Sequence, residues 1–250
     1  MDKKKGQVTI FIIVGILIVV SILLIIFIKS GERVERVIAD DPKSAVHGCV
    51  RDAVENSIRT ILENGGVITP TNTVTYQDKK YNYLCYQGEY YKNCINTYPM
   101  LEELIEKEIR EDTKDSVQGC FNLMKEDFEK KGFVVSGGPT NYSVDLLPGS
   151  VEIRLRKDVV ISKGNSSELI NIFDTSINSP LYGIVMFVRD IINDEATDCN
   201  VNYNAFVLLY PQYKISKTNY DFSEIYTVEY RNTEEKFKFA VRGCAFAPGL

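Results

Sequence analysis

Apolar positions along the chain follow three different patterns, one after another. From Gly6 to Ile28 no side chain is charged, and Val8 to Ile28 is interrupted only by Thr9, Gly15 and Ser21. As a helix rising 1.5 Å per residue, this run spans about 30 Å, the hydrocarbon thickness of a bilayer. It has no polar face, so the pattern predicts a transmembrane helix over residues 7–28. A short charged stretch, residues 29–45, carries Gly31 and Pro42 and predicts a stalk or linker. From Val46 the period becomes helical: Val46, Val50, Ala53 or Val54, Ile58, Ile61 and Leu62 recur every three or four residues until Gly65-Gly66. Leu101, Leu104, Ile105 and Ile109 predict a second helix over Pro99–Asp112. Val117, Phe121, Met124 and Phe128 predict a third, closed by Gly132. Between the first two lies a tyrosine-rich hairpin at about residues 74–95. After residue 133 the period drops to two. SVEIRLR alternates, and FVLLY, IYTVEY and KFKFAV read as further strands, the last two joined by Asn232–Glu235 as a hairpin. Leu181–Ile192 is apolar on most sides and predicts a helix packed on that sheet.

Helices first and strands afterwards argue for an α+β fold, not a regular βαβ repeat. The expected organisation is a basic cytoplasmic leader (1–6), a transmembrane helix (7–28), the stalk (29–45), a helix-rich subdomain with the hairpin (46–132) and a sheet-rich subdomain (133–250). Two segments share the order V-x-G-C, amphipathic helix, glycine, β-prone tail: one starts at Val46, the other at Val117. This is the pattern of an internal duplication or of two helices that open alike.

The flanks of the apolar run orient it. Lys3, Lys4 and Lys5 are clustered before it, whereas Lys29, Arg33 and Arg36 after it are dispersed among acidic residues. The lysine cluster stays cytoplasmic, which places the C-terminal bulk outside the cell membrane as a single-pass protein. A secretory signal would have a shorter apolar region with a small-residue cleavage site close behind it. Here the nearest such site, Val37-Ile38-Ala39, comes late.

The stretch Lys4-Lys5-Gly6-Gln7 leading directly into the apolar run resembles the class III signal of archaeal type IV pilin-like proteins. That resemblance covers about the first 28 residues. It implies cleavage between Gly6 and Gln7, with the apolar helix kept as a membrane anchor and, in a filament, as core packing. Two features depart from the family: Phe11 stands where many members carry Glu at the fifth mature position, and Gly31 and Pro42 interrupt the first helix. As a whole the chain looks like single-span surface proteins of small-genome archaea that share this K-G-Q-leading anchor. The other reading is a plain anchor without processing.

The compartment changes how the cysteines read. Six are present, at 49, 85, 94, 120, 199 and 244; none forms C-x-x-C, and His47 is the only histidine. Zinc-ribbon and haem-attachment chemistry is thereby excluded, and no metal or cofactor is expected. Outside the membrane an even set of spaced cysteines predicts three disulfides; in a reducing compartment they would be six buried thiols. Of the fifteen pairings, local pattern favours Cys85–Cys94 across a turn at Glu89-Tyr90, and Cys49–Cys120 between the two V-x-G-C segments. Cys199–Cys244 remains.

Catalytic signals are absent. No nucleophile elbow, phosphate loop, H-E-x-x-H or EF-hand loop occurs, and His47 sits where a capping or surface role is expected. Among 34 acidic residues no carboxylate pair stands out, and Asn193-Asp194-Glu195 with Asp198 reads as a polar turn, not a calcium loop. A net charge of −5 argues against nucleic acid. Asn141-Tyr-Ser and Asn165-Ser-Ser are glycosylation acceptor sequons. Fifteen tyrosines predict strand packing or an aromatic binding surface. The expectation is a membrane-anchored, disulfide-bonded surface protein with a structural, adhesive or binding role toward other surface proteins or glycans. A pilin-like minor subunit is its sharper form, and a tethered hydrolase with paired carboxylates is the alternative.

Overall fold

A computed structural model describes residues 17–21, 41–89, 91–199, 201, 203–231 and 233–243. The chain divides into two units, Met1–Asp40 and Asp41–Leu250. In the first, residues 17–21 are helical, Leu17 to Val20 are exposed, and the Ser21 hydroxyl donates to the Leu17 carbonyl at 2.8 Å. The rest of the expected span 7–28, the leader and the Gly6–Gln7 bond lie outside the described residues. Among those described, no helix is long and apolar enough to cross a membrane.

The second unit is α+β. Helix α1 (Pro42–Glu63) begins four residues before its expected start. Pro42 does not break it: proline at the first helical position gives up an N–H that has no partner there anyway. The Asp41 carboxylate accepts from the Lys43 N–H and caps the end. At the other end Gly65, at φ 65°, and Gly66 close the helix, with the Gly66 N–H returning to the Ile61 carbonyl at 2.9 Å. A Cβ on Gly65 would meet the Lys238 carbonyl at 3.0 Å, so both the turn and the packing demand glycine.

The two helices expected between 99 and 132 are one, α2 (Leu101–Lys130). Nothing in Thr113–Ser116 breaks a helix, and the Thr113 hydroxyl is absorbed by the Ile109 carbonyl at 2.6 Å. One buried stripe, Leu101, Ile105, Ile109, Thr113, Val117, Phe121, Met124 and Phe128, runs its full length. Both V-x-G-C segments therefore lie within helices, where they face each other. Val46 and Val117 are buried, and Cys49 is bonded to Cys120 with Cα atoms 5.7 Å apart.

The larger sheet contains β1 (Thr73–Tyr76), β2 (Lys79–Tyr86), β3 (Ile95–Asn96), β9 (Tyr213–Tyr220), β10 (Ser223–Tyr230) and β11 (Lys236–Arg242), in the order β1-β2-β11-β10-β9 with β3 on β2. The β2–β11 pairing is parallel, so the sheet is mixed, not wholly antiparallel. It also takes strands from both sides of the boundary expected at 132/133. The Cys85–Cys94 disulfide ties β2 to the segment entering β3.

The smaller sheet is built on β6 (Ser150–Lys163). One side carries β4 (Val134–Gly137) followed by β5 (Asn141–Leu147); the other carries β7 (Ser166–Ile172) followed by β8 (Thr175–Asn178). Both flanking strands are interrupted near Lys157. Its ammonium fills one gap, donating to the Gly138 carbonyl at 2.6 Å and the Thr140 hydroxyl at 3.0 Å above the Phe121 ring.

Helix α3 (Leu181–Asp198) touches strands of both sheets and is buried around most of its circumference. The segment FVLLY, expected as a strand, belongs to helix α4 (Tyr203–Leu209). A short apolar run does not distinguish the two states. Here Phe206 and, just after the helix, Tyr210 pack inward on Phe187, while Val207, Leu208 and Leu209 are exposed.

Candidate functional site

Sequence periodicity puts Glu195 on the buried stripe of α3, four residues after Ile191, and puts Glu224, Tyr226 and Val228 on one face of β10. The fold brings these faces together. Glu195 is 3% exposed and Tyr226 fully buried, its ring stacked on Phe239 at 5.1 Å. The Tyr226 hydroxyl is hydrogen-bonded to Glu195 Oε1 and lies 3.0 Å from Glu224 Oε2. Lys217, opposite Tyr226 on β9, donates to Glu224 Oε1 at 2.8 Å.

One phenolic proton cannot fully serve two carboxylates. Burial, then the charge of Glu224, pushes the Glu195 carboxyl up to about 7. When Glu195 is protonated its own proton goes to the phenol oxygen, the phenol donates to Glu224, and Lys217 neutralises Glu224. Burial and the Glu195 charge raise the Tyr226 phenol far above its ordinary range, so it stays protonated.

This is a pair of carboxylates of which Glu195 has a raised proton affinity, as a carboxylate-based hydrolase would require of its acid. Both, however, contact one buried tyrosine oxygen. No room is left between them for the glycosidic bond and water that such pairs flank.

The expected site residues are scattered. His47 lies inside α1; burial lowers its proton affinity, and Nε2 has no hydrogen-bond partner. Asp194 and Asp198 are in α3, not in a turn after it, and Glu195 points away into the core. No cluster of three metal-ligating side chains occurs among the described residues. Asn141 and Asn165 are both exposed, Asn165 at the tip of the β6–β7 turn. Cys199 is disulfide-bonded, and Cys244, its expected partner, lies outside the described residues.

Two further features take their place from the fold. One is an aromatic cluster on the face of the larger sheet turned away from the main core. Val74, Tyr83, Ile225 and Ala240 are buried there under Tyr76, Tyr81 and Tyr86. Tyr76 meets Tyr220 at 5.0 Å, and Tyr83 shares a 2.7 Å hydrogen bond with Ser223. Tyr220 and Phe222 remain 43% and 62% exposed. Phe222 and Asp221 form the β9–β10 turn at φ 57° and 47°, a conformation that favours glycine or asparagine. The other is a groove of about 440 Å³ between α1 and the β10–β11 turn. Glu235 lines it, accepting from the Ser179 hydroxyl at 3.1 Å, with its carboxyl raised above the ordinary range by burial.

Comparison with known proteins gives no match: no family model, no curated protein and no solved structure resembles this chain.

Proposed function

We propose that this chain is a membrane-anchored surface protein whose disulfide-bonded domain lies outside the cell and acts by binding other surface proteins or glycans. Its sharper form is a pilin-like minor subunit of a filament or secretion apparatus. The observation that carries the binding role is the aromatic cluster. Tyrosines packed in tilted and edge-to-face pairs on a sheet face away from the core offer rigid, amphipathic contact area at little entropic cost. Support for the location comes from the Cys49–Cys120 and Cys85–Cys94 disulfides together with the K-G-Q-led apolar run.

The intact mass and N-terminal sequence of the protein from its native membrane, taken without reductant, test this reading. A chain beginning at Gln7 is expected if a prepilin-type peptidase processes it, and filaments would then be sought. Retained lysines would remove the filament form and leave a permanent anchor. Six free thiols would overturn the extracytoplasmic location.

The second reading, a tethered hydrolase, draws its support from the groove beside Glu235, where Glu55, Glu63 and Glu234 also lie. It requires turnover of a glycan or peptide by the purified domain that Glu235→Gln abolishes. A wild-type domain inert toward both classes removes it.

A further inference from the structure

Beside α2 runs a groove of about 590 Å³, within the range of ligand sites. Arg110, Lys114 and Gln118, on successive turns of α2, form one wall; Thr140, Asn141 and Tyr142 form the other. The second wall is stiff. Lys157 holds Thr140 from below, Asn141 pairs with Arg156 in the sheet, and the Tyr142 hydroxyl donates to Thr113 at 2.6 Å. Glu111 and Asp115 add acceptors to the donors of Arg110 and Lys114. Neither Arg110 nor Lys114 has an ion-pair partner among the described residues. A groove that sets an aromatic ring beside charged, amide and hydroxyl groups suits a sugar, which has apolar ring faces and a rim of hydroxyls.

One of its lining residues is the acceptor of the Asn141-Tyr142-Ser143 sequon. The Asn141 side chain is exposed and makes no hydrogen bond among the described residues. We infer that Asn141 is N-glycosylated and that its first sugars lie in this groove, against Tyr142 and between Arg110 and Lys114. The inference rests on the extracytoplasmic location proposed above.

In the transfer, Asn141 Nδ2 forms a bond to the anomeric carbon of an oligosaccharide activated on a lipid phosphate. The bond from that carbon to the phosphate oxygen breaks, the lipid phosphate leaves with its electron pair, and Nδ2 gives one proton to a base of the transferase. A transferase supplies the activated sugar. Tethering explains why an open polar groove would hold a sugar that binds weakly when free: the short link gives an effective concentration in the millimolar range. Asn165 has the same sequon chemistry but sits on a turn tip, so a glycan there would have no such bed.

The test uses the full chain from its native membrane. Peptide mass spectrometry reads Asn141, and hydroxyl-radical footprinting reads Tyr142, in wild type and in Asn141→Gln and Ser143→Ala. Protease added to intact cells reports the location. The expected result is glycan mass on Asn141, absent in both variants, with Tyr142 oxidised several-fold more slowly in wild type. Arg110→Ala with Lys114→Ala should keep the mass and lose the protection. Unmodified Asn141 in a domain cleaved by external protease overturns the inference and leaves the location standing. A domain that intact cells shield from protease overturns both. A glycan on Asn141 without protection of Tyr142 overturns the seating in the groove.

Discussion

Replacing Cys49 and Cys120 together with alanine should lower the stability of the domain by about 4 kcal/mol. The bond joins residues 71 apart, and closing a loop of that size removes roughly this much chain entropy from the unfolded state. It also staples the two longest buried helical stripes together, in the N-terminal half of α1 and the C-terminal half of α2: α1 carries Val46, Val50 and Val54 against the helix that carries Val117 and Phe121. The Cys85–Cys94 bond closes a loop of only nine residues, so its loss should cost about 2.5 kcal/mol. Urea unfolding of the two double variants separates these effects. Equal losses would show that loop size does not govern the difference.

Stability should also fall as pH rises from 5 to 8, and Glu195→Gln should remove most of that fall. The Glu195 carboxyl is raised in the folded state, to about 7 from an ordinary 4.5. Its contribution is therefore fully present below about 4.5 and is lost as pH climbs through 7. Converting the shift gives an upper limit of roughly 3 kcal/mol. The groups facing it are Tyr226 and Glu224 from β10 and Lys217 from β9. Glu106, Glu235 and Asp194 are also raised, by burial first, and act in the same direction. His47 is lowered by burial and acts the other way, costing stability as pH falls below its ordinary 6.5. Unfolding midpoints at several pH values, for wild type and Glu195→Gln, measure the net slope. Parallel slopes in the two proteins would rule out Glu195 as the source.

The helices were legible wherever an apolar stripe was long. The Val46–Leu62 spacing, the Leu181–Ile192 face and the β10–β11 hairpin were all visible because their information is local. The errors have local causes too. Pro42 reads as a breaker until Asp41 is seen to cap the helix that it opens. Thr113–Ser116 is polar enough to pass for a linker, yet it contains nothing that stops a helix. FVLLY suits a strand by composition, yet its core partners are Phe206 and Tyr210, four residues apart as a helical turn places them. The site was less legible. Glu195 lies on a readable apolar stripe, but its meeting with Tyr226 depends on how α3 crosses the larger sheet. The aromatic face needs β1 and β9, at opposite edges, to bring Tyr76 and Tyr220 into contact. Neither arrangement leaves a trace in a short window.

The parallel seam between β2 and β11 sets a timetable. β11 lies between β2 and β10 in the sheet, yet it comes after both in chain order, 150 residues beyond β2. Until that segment arrives, β1–β2–β3 and β9–β10 are two separate ribbons, each with an open flank. A chain delivered N-terminus first, from a ribosome or through a membrane, can form α1, α2 and the smaller sheet along the way. Its larger sheet must wait for β11. Long-range pairing of this kind is slow and leaves strand edges unpaired meanwhile. Removal of β11 should therefore be felt first as aggregation through the open edges of β2 and β10.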